Sequence, residues 1–293
     1  MNNYHVPVLL QEVLQYLEVE PDKVYIDGTV GGGGHTEAML AKGASVLGID
    51  VDQEAIEYVT KKTIDLGVKS KDRLTLARGN FGEIEKIAKE HKIDKVDGVL
   101  LDLGVSSHQL DTSERGFSFV SGPLDMRMSE ELQVKAADLV NGLTEKELVE
   151  LFGKFGEEPY AHKIAKAIIT QRKRAFFTRT DELAELIKRT VHNHDAIHPA
   201  TRVFQALRIA VNDELYVLQT ALPRAFALLK PGGRLVVISF HSLEDRIVKQ
   251  TLQTLEQEKK GKILTPKPVT ASESEVLQNR RARSAKLRAI EKL

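Results

Sequence analysis

The chain has 293 residues, 42% hydrophobic and 29% charged, with 42 Lys+Arg balancing 42 Asp+Glu to a formal net charge of zero and a pI near 7.2. No run approaches the ~18 apolar residues of a membrane span, which excludes a helical membrane protein. Cysteine is absent, which removes disulfides, thiolate catalysis, thiolate-bound zinc and iron–sulfur clusters together. The N-terminal stretch MNNYHVPVLLQEVLQYLE has no basic n-region and is interrupted by Gln11 and Glu12, so it does not read as a signal peptide. A cytoplasmic location is the expectation, compatible with a reducing compartment.

The neutral total hides an asymmetry. Residues 160–212 hold ten Lys/Arg against four Asp/Glu, a net of +6, and residues 259–293 hold ten against three, a net of +7. The remainder therefore carries −13. Two basic segments on an acidic body suit a polyanion-binding surface, and suit equally well a pair of solvated helix faces.

The first hundred residues alternate strand and helix signals. An apolar run over 24–30 ends in glycines, and a helical pattern over 35–43 stops at Gly43. A strand over 45–52 leads into a helix over 53–67, with Ile56, Val59, Thr63 and Leu66 on one face and Gly67 at its end. A third strand (74–80), a helix and a fourth strand (96–104) follow. This rhythm implies α/β architecture with a parallel sheet covered on both faces. It then stops. Segments 130–140, 144–153, 160–174, 181–193 and 200–218 read as helices, and a strand pattern returns only at 232–240. The expected organisation is an α/β domain formed by residues 1–107 and 216–293, interrupted by a helical insertion over 108–215. The tail from Lys259 reads as polar and partly mobile, and no internal repeat is visible.

The first strand runs into Asp27-Gly28-Thr29-Val30-Gly31-Gly32-Gly33-Gly34-His35-Thr36, with a helix behind it. Glycines between a strand and a helix let the backbone approach a ligand where a Cβ would clash. A dinucleotide site would ask for G-x-G-x-x-G, and no register supplies it: Gly31-x-Gly33 is followed by Thr36, and Gly32-x-Gly34 by Glu37. Asp50 ends the second strand 19 residues after Gly31, where a carboxylate meets ribose hydroxyls in dinucleotide and adenosine sites alike. With Asp102 ending the fourth strand, the pattern resembles the Rossmann-like S-adenosylmethionine-dependent methyltransferases. Thr29 stands where that class usually has glycine. The plain alternative is that the four glycines form only a tight turn; against it, Asp50 and Asp102 are expected at the carboxyl ends of adjacent strands, where open α/β sheets bind ligands.

Longer blocks narrow the resemblance. They are His5-Val6-Pro7-Val8-Leu9-Leu10, Gly48-Ile49-Asp50-x-Asp52, Leu101-Asp102-Leu103-Gly104-Val105-Ser106-Ser107-x-Gln109-Leu110-Asp111 and Glu114-Arg115-Gly116-Phe117-Ser118-Phe119. Gly122-Pro123-Leu124-Asp125-Met126-Arg127-Met128, His198-Pro199-Ala200-Thr201-Arg202-x-Phe204-Gln205-Ala206-Leu207-Arg208-Ile209, Ser239-Phe240-His241-Ser242-Leu243-Glu244-Asp245-Arg246 and Arg283-Ser284-Ala285-Lys286-Leu287-Arg288 continue the series. In order and over nearly the whole chain, they resemble the RsmH (MraW) family of bacterial small-subunit (16S) ribosomal RNA methyltransferases, which modify the exocyclic N4 of a decoding-site cytosine. The resemblance implies that Gly33, Gly34 and His35 contact the methionine end of S-adenosylmethionine, that Asp50 takes the ribose and that Phe81 lies beside the adenine. It implies further that Asp102 and Gln109 close the pocket. His108 departs from the proline frequent before that glutamine, a change expected to alter loop stiffness more than chemistry.

Methyl transfer from a sulfonium is an in-line displacement, so the protein must hold nucleophile and methyl ~3 Å apart and aligned. A cytosine amino group is a weak nucleophile, and acceptors for its N–H bonds would help it. Amino-methylating enzymes often carry Pro-Pro-aromatic after the polar residue ending the fourth strand. Asp102-Leu103-Gly104-Val105 has neither proline nor aromatic there. Ser106, Ser107 and His241 are candidates for the missing polar work, with turn, cap or structural hydrogen-bonding roles as the plain alternatives. No catalytic residue is assigned.

Arg172-Lys173-Arg174-Ala175-Phe176-Phe177-Thr178-Arg179 interleaves cations with aromatics, a combination suited to single-stranded or loop RNA. Arg172, Lys173, Arg174 and Arg179 are therefore candidate RNA contacts, and the alternative is a helix end with core phenylalanines. Arg280, Arg281, Arg283, Lys286 and Arg288 form a second basic cluster. A base within paired RNA must be turned out to react. His192, His194 and His198 lack a carboxylate pattern for a metal site, and none is expected. The partner is thus ribosomal RNA or the assembled small subunit, with no membrane and with homodimerisation left open. Competing readings are a methyltransferase on another RNA or a non-RNA substrate, a non-catalytic RNA-binding assembly factor, and a nicotinamide oxidoreductase.

Overall fold

The computed structural model describes residues 7–65, 72–191 and 198–293. In chain order, α1 (Leu10–Tyr16) precedes β1 (Val24–Asp27), α2 (Gly34–Ala41), β2 (Ser45–Asp50), α3 (Gln53–Asp65), β3 (Leu74–Arg78), α4 (Ile84–Glu90) and β4 (Val96–Asp102). A helical stretch follows, comprising α5 (Ser107–Asp111), α6 (Ala136–Gly142), α7 (Glu145–Gly156), α8 (Ala161–Arg172), α9 (Thr180–Thr190) and α10 (Thr201–Asn212). The chain continues through α11 (Glu214–Leu228), β5 (Leu229–Ser239), α12 (Ser242–Gln257), β6 (Gly261–Ile263), α13 (Glu273–Gln278) and β7 (Lys286–Lys292). Two compact units result, Met1–Ser106 with Leu215–Leu293, and Ser107–Glu214. Among the described residues, no helix is long and apolar enough to cross a membrane.

The first unit is built on a seven-stranded sheet in the order β3-β2-β1-β4-β5-β7-β6. β1 pairs in parallel with β2 and β4, β2 with β3, and β4 with β5, whereas β7 runs antiparallel to both β5 and β6. Side chains alternate across the pleat. Ile26, Leu47, Val99, Leu101, Leu235 and Val237 belong to one buried cluster with residues of α4, α11 and α12. Tyr25, Val46, Leu100, Val236 and Ile238 belong to the other, with residues of α1 and α2. Burial on both faces is why these strands read as continuous apolar runs. The order turns back between β1 and β4, so the carboxyl ends of β2, β1 and β4 open onto the crevice where open α/β sheets take ligands.

The tail from Lys259 departs from its expected mobility. β7 is an inner strand of the sheet, with Leu287, Ala289 and Ile290 fully buried. Its polarity misled because the charged residues of KLRAIEK are themselves held. Arg288 Nε donates to Asp245 Oδ1 at 2.6 Å, and Arg234 joins Glu291 at 2.9 Å.

The second unit is helical, around buried Leu148, Phe152, Ile164, Ile168, Leu183, Ile187, Val203 and Leu207. The segment read as one helix over 200–218 is two: Asp213, at φ 51°, adopts the left-handed conformation that Asp tolerates and ends α10. Arg208 then clasps Glu214 through both carboxylate oxygens at 2.8 and 2.9 Å. The helix expected over 130–140 begins later, at Ala136.

Candidate functional site

β1 delivers Asp27 to the floor of the glycine turn, 1% exposed. Its Oδ2 accepts the Thr36 hydroxyl at 2.6 Å and its Oδ1 the Thr29 N–H at 3.2 Å. These donors only partly offset desolvation, and burial pushes its pKa up to about 6. Asp50, at the end of β2, accepts Gly31 N–H at 2.7 Å and Asp52 N–H at 2.9 Å. Burial likewise raises it to about 6. The turn itself needs its glycines: Gly33 is the N-cap of α2 at φ 77°, and a Cβ on Gly34 would lie 2.9 Å from the Pro7 ring.

Asp102 ends β4, and its N–H donates to the Thr29 hydroxyl at 2.6 Å. Its carboxylate Oδ2 is 3.8 Å from His35 Nδ1, while Oδ1 is buried with no hydrogen-bond partner. Burial raises its pKa well above the usual carboxylate range, and the charges of Asp27 and Glu244 raise it further. His35, on the first turn of α2, is 5% exposed, and its Nε2–H donates to the Val8 carbonyl at 3.0 Å. That bond fixes the tautomer and leaves Nδ1 turned toward Asp102. The crevice therefore gathers Asp27, Asp50 and Asp102 at three neighbouring strand ends; Asp27 and Asp50 are charged above about pH 6, complementary to a cationic ligand with hydroxyls, while Asp102 holds its proton more tightly.

Phe81 opens a 3-10 turn (Phe81–Glu83) directly after β3 and packs partly buried against the first core cluster. Asn80 caps that turn by accepting Gly82 N–H at 2.8 Å, and Arg224 donates to the Gly82 carbonyl. Gln109 lies on α5, in the helical unit. Gly33, Gly34, His35, Asp50, Phe81 and Asp102 all belong to the sheet unit.

Of the polar candidates, Ser106 lies opposite Gly31, 3.9 Å from where a Cβ there would stand. Ser107 opens α5, and its side chain lies outside the described residues. His241 serves as the N-cap of α12: its Nδ1 accepts Glu244 N–H at 3.4 Å, while Glu244 Oε2 accepts Phe240 N–H at 2.8 Å and His241 N–H at 3.3 Å. With histidine in place of the usual Ser or Thr, the spacing His241-x-x-Glu244 did not announce that reciprocal cap. Sequence reasoning noted Thr29 only as a departure from glycine and gave Thr36 no role, yet the Thr36 hydroxyl holds the Asp27 carboxylate and the Thr29 hydroxyl holds the Asp102 backbone N–H. Their only signal is position, beside Asp27 and in the first turn of α2.

The basic motif of the helical unit divides by environment. Arg172 Nη1 donates to the Val140 and Leu143 carbonyls at 2.9 and 2.6 Å, closing the end of α6. Arg179 bonds Asp181 at 3.1 Å and Ser121 at 3.0 Å while staying exposed. Lys173 and Arg174 are exposed, and so is Phe176 at 69%, whereas Phe177 is buried. In the C-terminal cluster, Arg288 and Lys286 are drawn to Asp245 at 2.6 and 3.6 Å, and Arg280 and Arg283 face solvent. His192 and His194 lie outside the described residues. His198 stacks on Phe119 with centroids 4.8 Å apart and planes at 14°.

An open sheet with a reversed seventh strand, a glycine-rich turn after β1 and carboxylates at successive strand ends defines a Rossmann-like fold of the methyltransferase type. Residues 2–293 match the MraW methylase family, and the chain belongs to that family. It is 49% identical over 298 residues to the ribosomal RNA small subunit methyltransferase H of Coprothermobacter proteolyticus, covering 100% of this chain and 98% of that protein. The proteins of the same name from Carboxydothermus hydrogenoformans (47%, 99% and 98% coverage) and Fusobacterium nucleatum (43%, 100% and 98%) are similar over the same extent.

Proposed function

We propose that this chain transfers a methyl group from S-adenosylmethionine to the exocyclic N4 of a cytosine in the decoding region of small-subunit ribosomal RNA. The reading is carried by the buried, unpartnered Asp102 Oδ1 beside the glycine turn, in a chain whose whole length belongs to a methylase family. An unsatisfied carboxylate oxygen in a buried crevice is costly unless a ligand completes it.

The residues fit this cofactor. Asp50 would accept the ribose hydroxyls, Phe81 would cover the adenine, and Gly33, Gly34 and His35 would line the methionine end. Asp102 would close the pocket from the end of β4. S-adenosylmethionine brings an already activated methyl on a sulfonium, so the protein's work is placement and charge. The carboxylates of Asp27 and Asp50 favour a cation in the crevice. Placement of the cytosine amino group in line would supply most of the acceleration.

The helical unit, residues 107–214, is the RNA reader in this proposal. Lys173, Arg174 and Arg179 would meet phosphates and Phe176 would stack an unpaired base. Arg172 would support that surface through its hold on α6. A ribosomal substrate would place the protein in the cytoplasm.

The test is methyl incorporation from labelled S-adenosylmethionine into small subunits from cells lacking this protein, followed by nucleoside mass spectrometry. Label in N4-methylcytidine is the expected result. Label in another nucleoside would keep the reaction class and overturn the target. No label, with no thermal shift on adding the cofactor, would leave an RNA-binding assembly factor as the better reading.

A further inference from the structure

A single peptide group links the C-terminal helix α13 to the glycine turn. Between Val8 and Leu9, the N–H donates to Glu275 Oε1 at 2.7 Å, across 266 residues of chain. The carbonyl of the same peptide accepts the Nε2–H of His35 at 3.0 Å. His35 Nδ1 then faces Asp102 Oδ2 at 3.8 Å, and Pro7 supplies the wall against which Gly34 is closed. Leu9 holds φ 55° and ψ 36°, a conformation a leucine takes only when its surroundings impose it.

The use of Glu275 is unusual within this chain. In α7 and α12 the third-residue glutamates, Glu147 and Glu244, reach back to the N–H of their own N-caps. In α13 the Ser272 hydroxyl accepts Glu275 N–H at 3.2 Å, yet the carboxylate goes to Leu9. An anionic acceptor on the N–H orients the peptide plane and strengthens its carbonyl as an acceptor. The carbonyl in turn keeps the His35 proton on Nε2.

We infer that Glu275 is a positioning residue for the methyl-donor site, acting through the Val8–Leu9 peptide to fix the ring and tautomer of His35 against Asp102. The inference rests on the reading of the crevice as an S-adenosylmethionine site. Glu275→Ala removes the acceptor, Glu275→Gln keeps an oxygen in its place, and Glu273→Ala in the same turn of α13 is the control.

Two readouts test it on the full chain. With S-adenosylmethionine and small subunits, Glu275→Ala is expected to raise KM for the cofactor roughly tenfold, with KM for the subunit unchanged. Glu275→Gln recovers most of the loss, and Glu273→Ala matches the parent. Without any ligand, ¹⁵N NMR of His35, identified by its loss in His35→Asn, is expected to report the Nε2–H tautomer in the parent and a mixture in folded Glu275→Ala. An unchanged cofactor KM in Glu275→Ala, or equal losses in Ala and Gln variants, would overturn the inference. If the parent chain does not bind S-adenosylmethionine, the crevice reading fails, and the inference with it. The histidine spectrum then decides only whether Glu275 orders His35.

Discussion

The Thr29 hydroxyl accepts the Asp102 N–H at 2.6 Å, tying the loop after β1 to the end of β4 across the mouth of the crevice. Thr29→Val leaves that N–H without its partner. Loss of a buried hydrogen bond costs about 1–3 kcal/mol, and Asp102 shifts with its backbone. Urea titration is expected to show the stability loss, and calorimetry a weaker affinity for S-adenosylmethionine. Unaltered affinity would mean that Asp102 does not depend on Thr29.

Asp27 gives a signed pH dependence. Its folded pKa is raised by burial from 3.8 to about 6. Its contribution to stability is therefore fully present below 3.8 and lost as pH rises through 6. Asp27→Asn should gain on the parent between pH 4 and 7 by an amount on the order of 3 kcal/mol. Urea denaturation of both proteins across that range measures the gap, and a gap flat with pH would contradict it.

Cofactor affinity should follow the same ionisations with the opposite sense. Asp50 also titrates near 6, and its charged form is the better partner for a cation and for ribose hydroxyls. Binding of S-adenosylmethionine is expected to weaken as pH falls below about 6. S-adenosylhomocysteine, which has lost the sulfonium charge, should weaken less. Calorimetric titration of the two ligands in parallel distinguishes charge attraction from a general loss of the fold.

The helical unit separates stability from recognition. Arg172→Ala strips two carbonyls at the end of α6 and is expected to cost about 1–3 kcal/mol of stability. Lys173→Ala and Arg174→Ala should leave stability within about 0.5 kcal/mol. Each is expected to lower RNA affinity and cut the salt slope by about one. Phe176→Ala should lose about 1–3 kcal/mol of RNA binding with little change in that slope. Filter binding at several salt concentrations reads both quantities.

Legibility tracked how local the signal was. The first four strands declared themselves because each is a short apolar run closed by Asp27, Asp50, Arg78 or Asp102, and the glycine turn announced its own position. β7 did not, since Lys286, Arg288 and Glu291 look solvated until their partners, Asp245 and Arg234, are brought from elsewhere in the chain. Arg172 and Phe177 stayed open for the same reason: a cation and an aromatic in a basic run look alike whether they face carbonyls and core or water. The path from Glu275 to His35 had no sequence signal at all, because it spans 266 residues and passes through a backbone peptide.

The place of β7 between β5 and β6 also sets an order of events during synthesis. Residues 107–214 are contiguous and can collapse as soon as they emerge. The sheet cannot close until residues 286–292 are free to slide between two strands made before them. A ribosome delivering this chain is therefore expected to release residues 107–214 while the sheet still waits for the closing residues of β7.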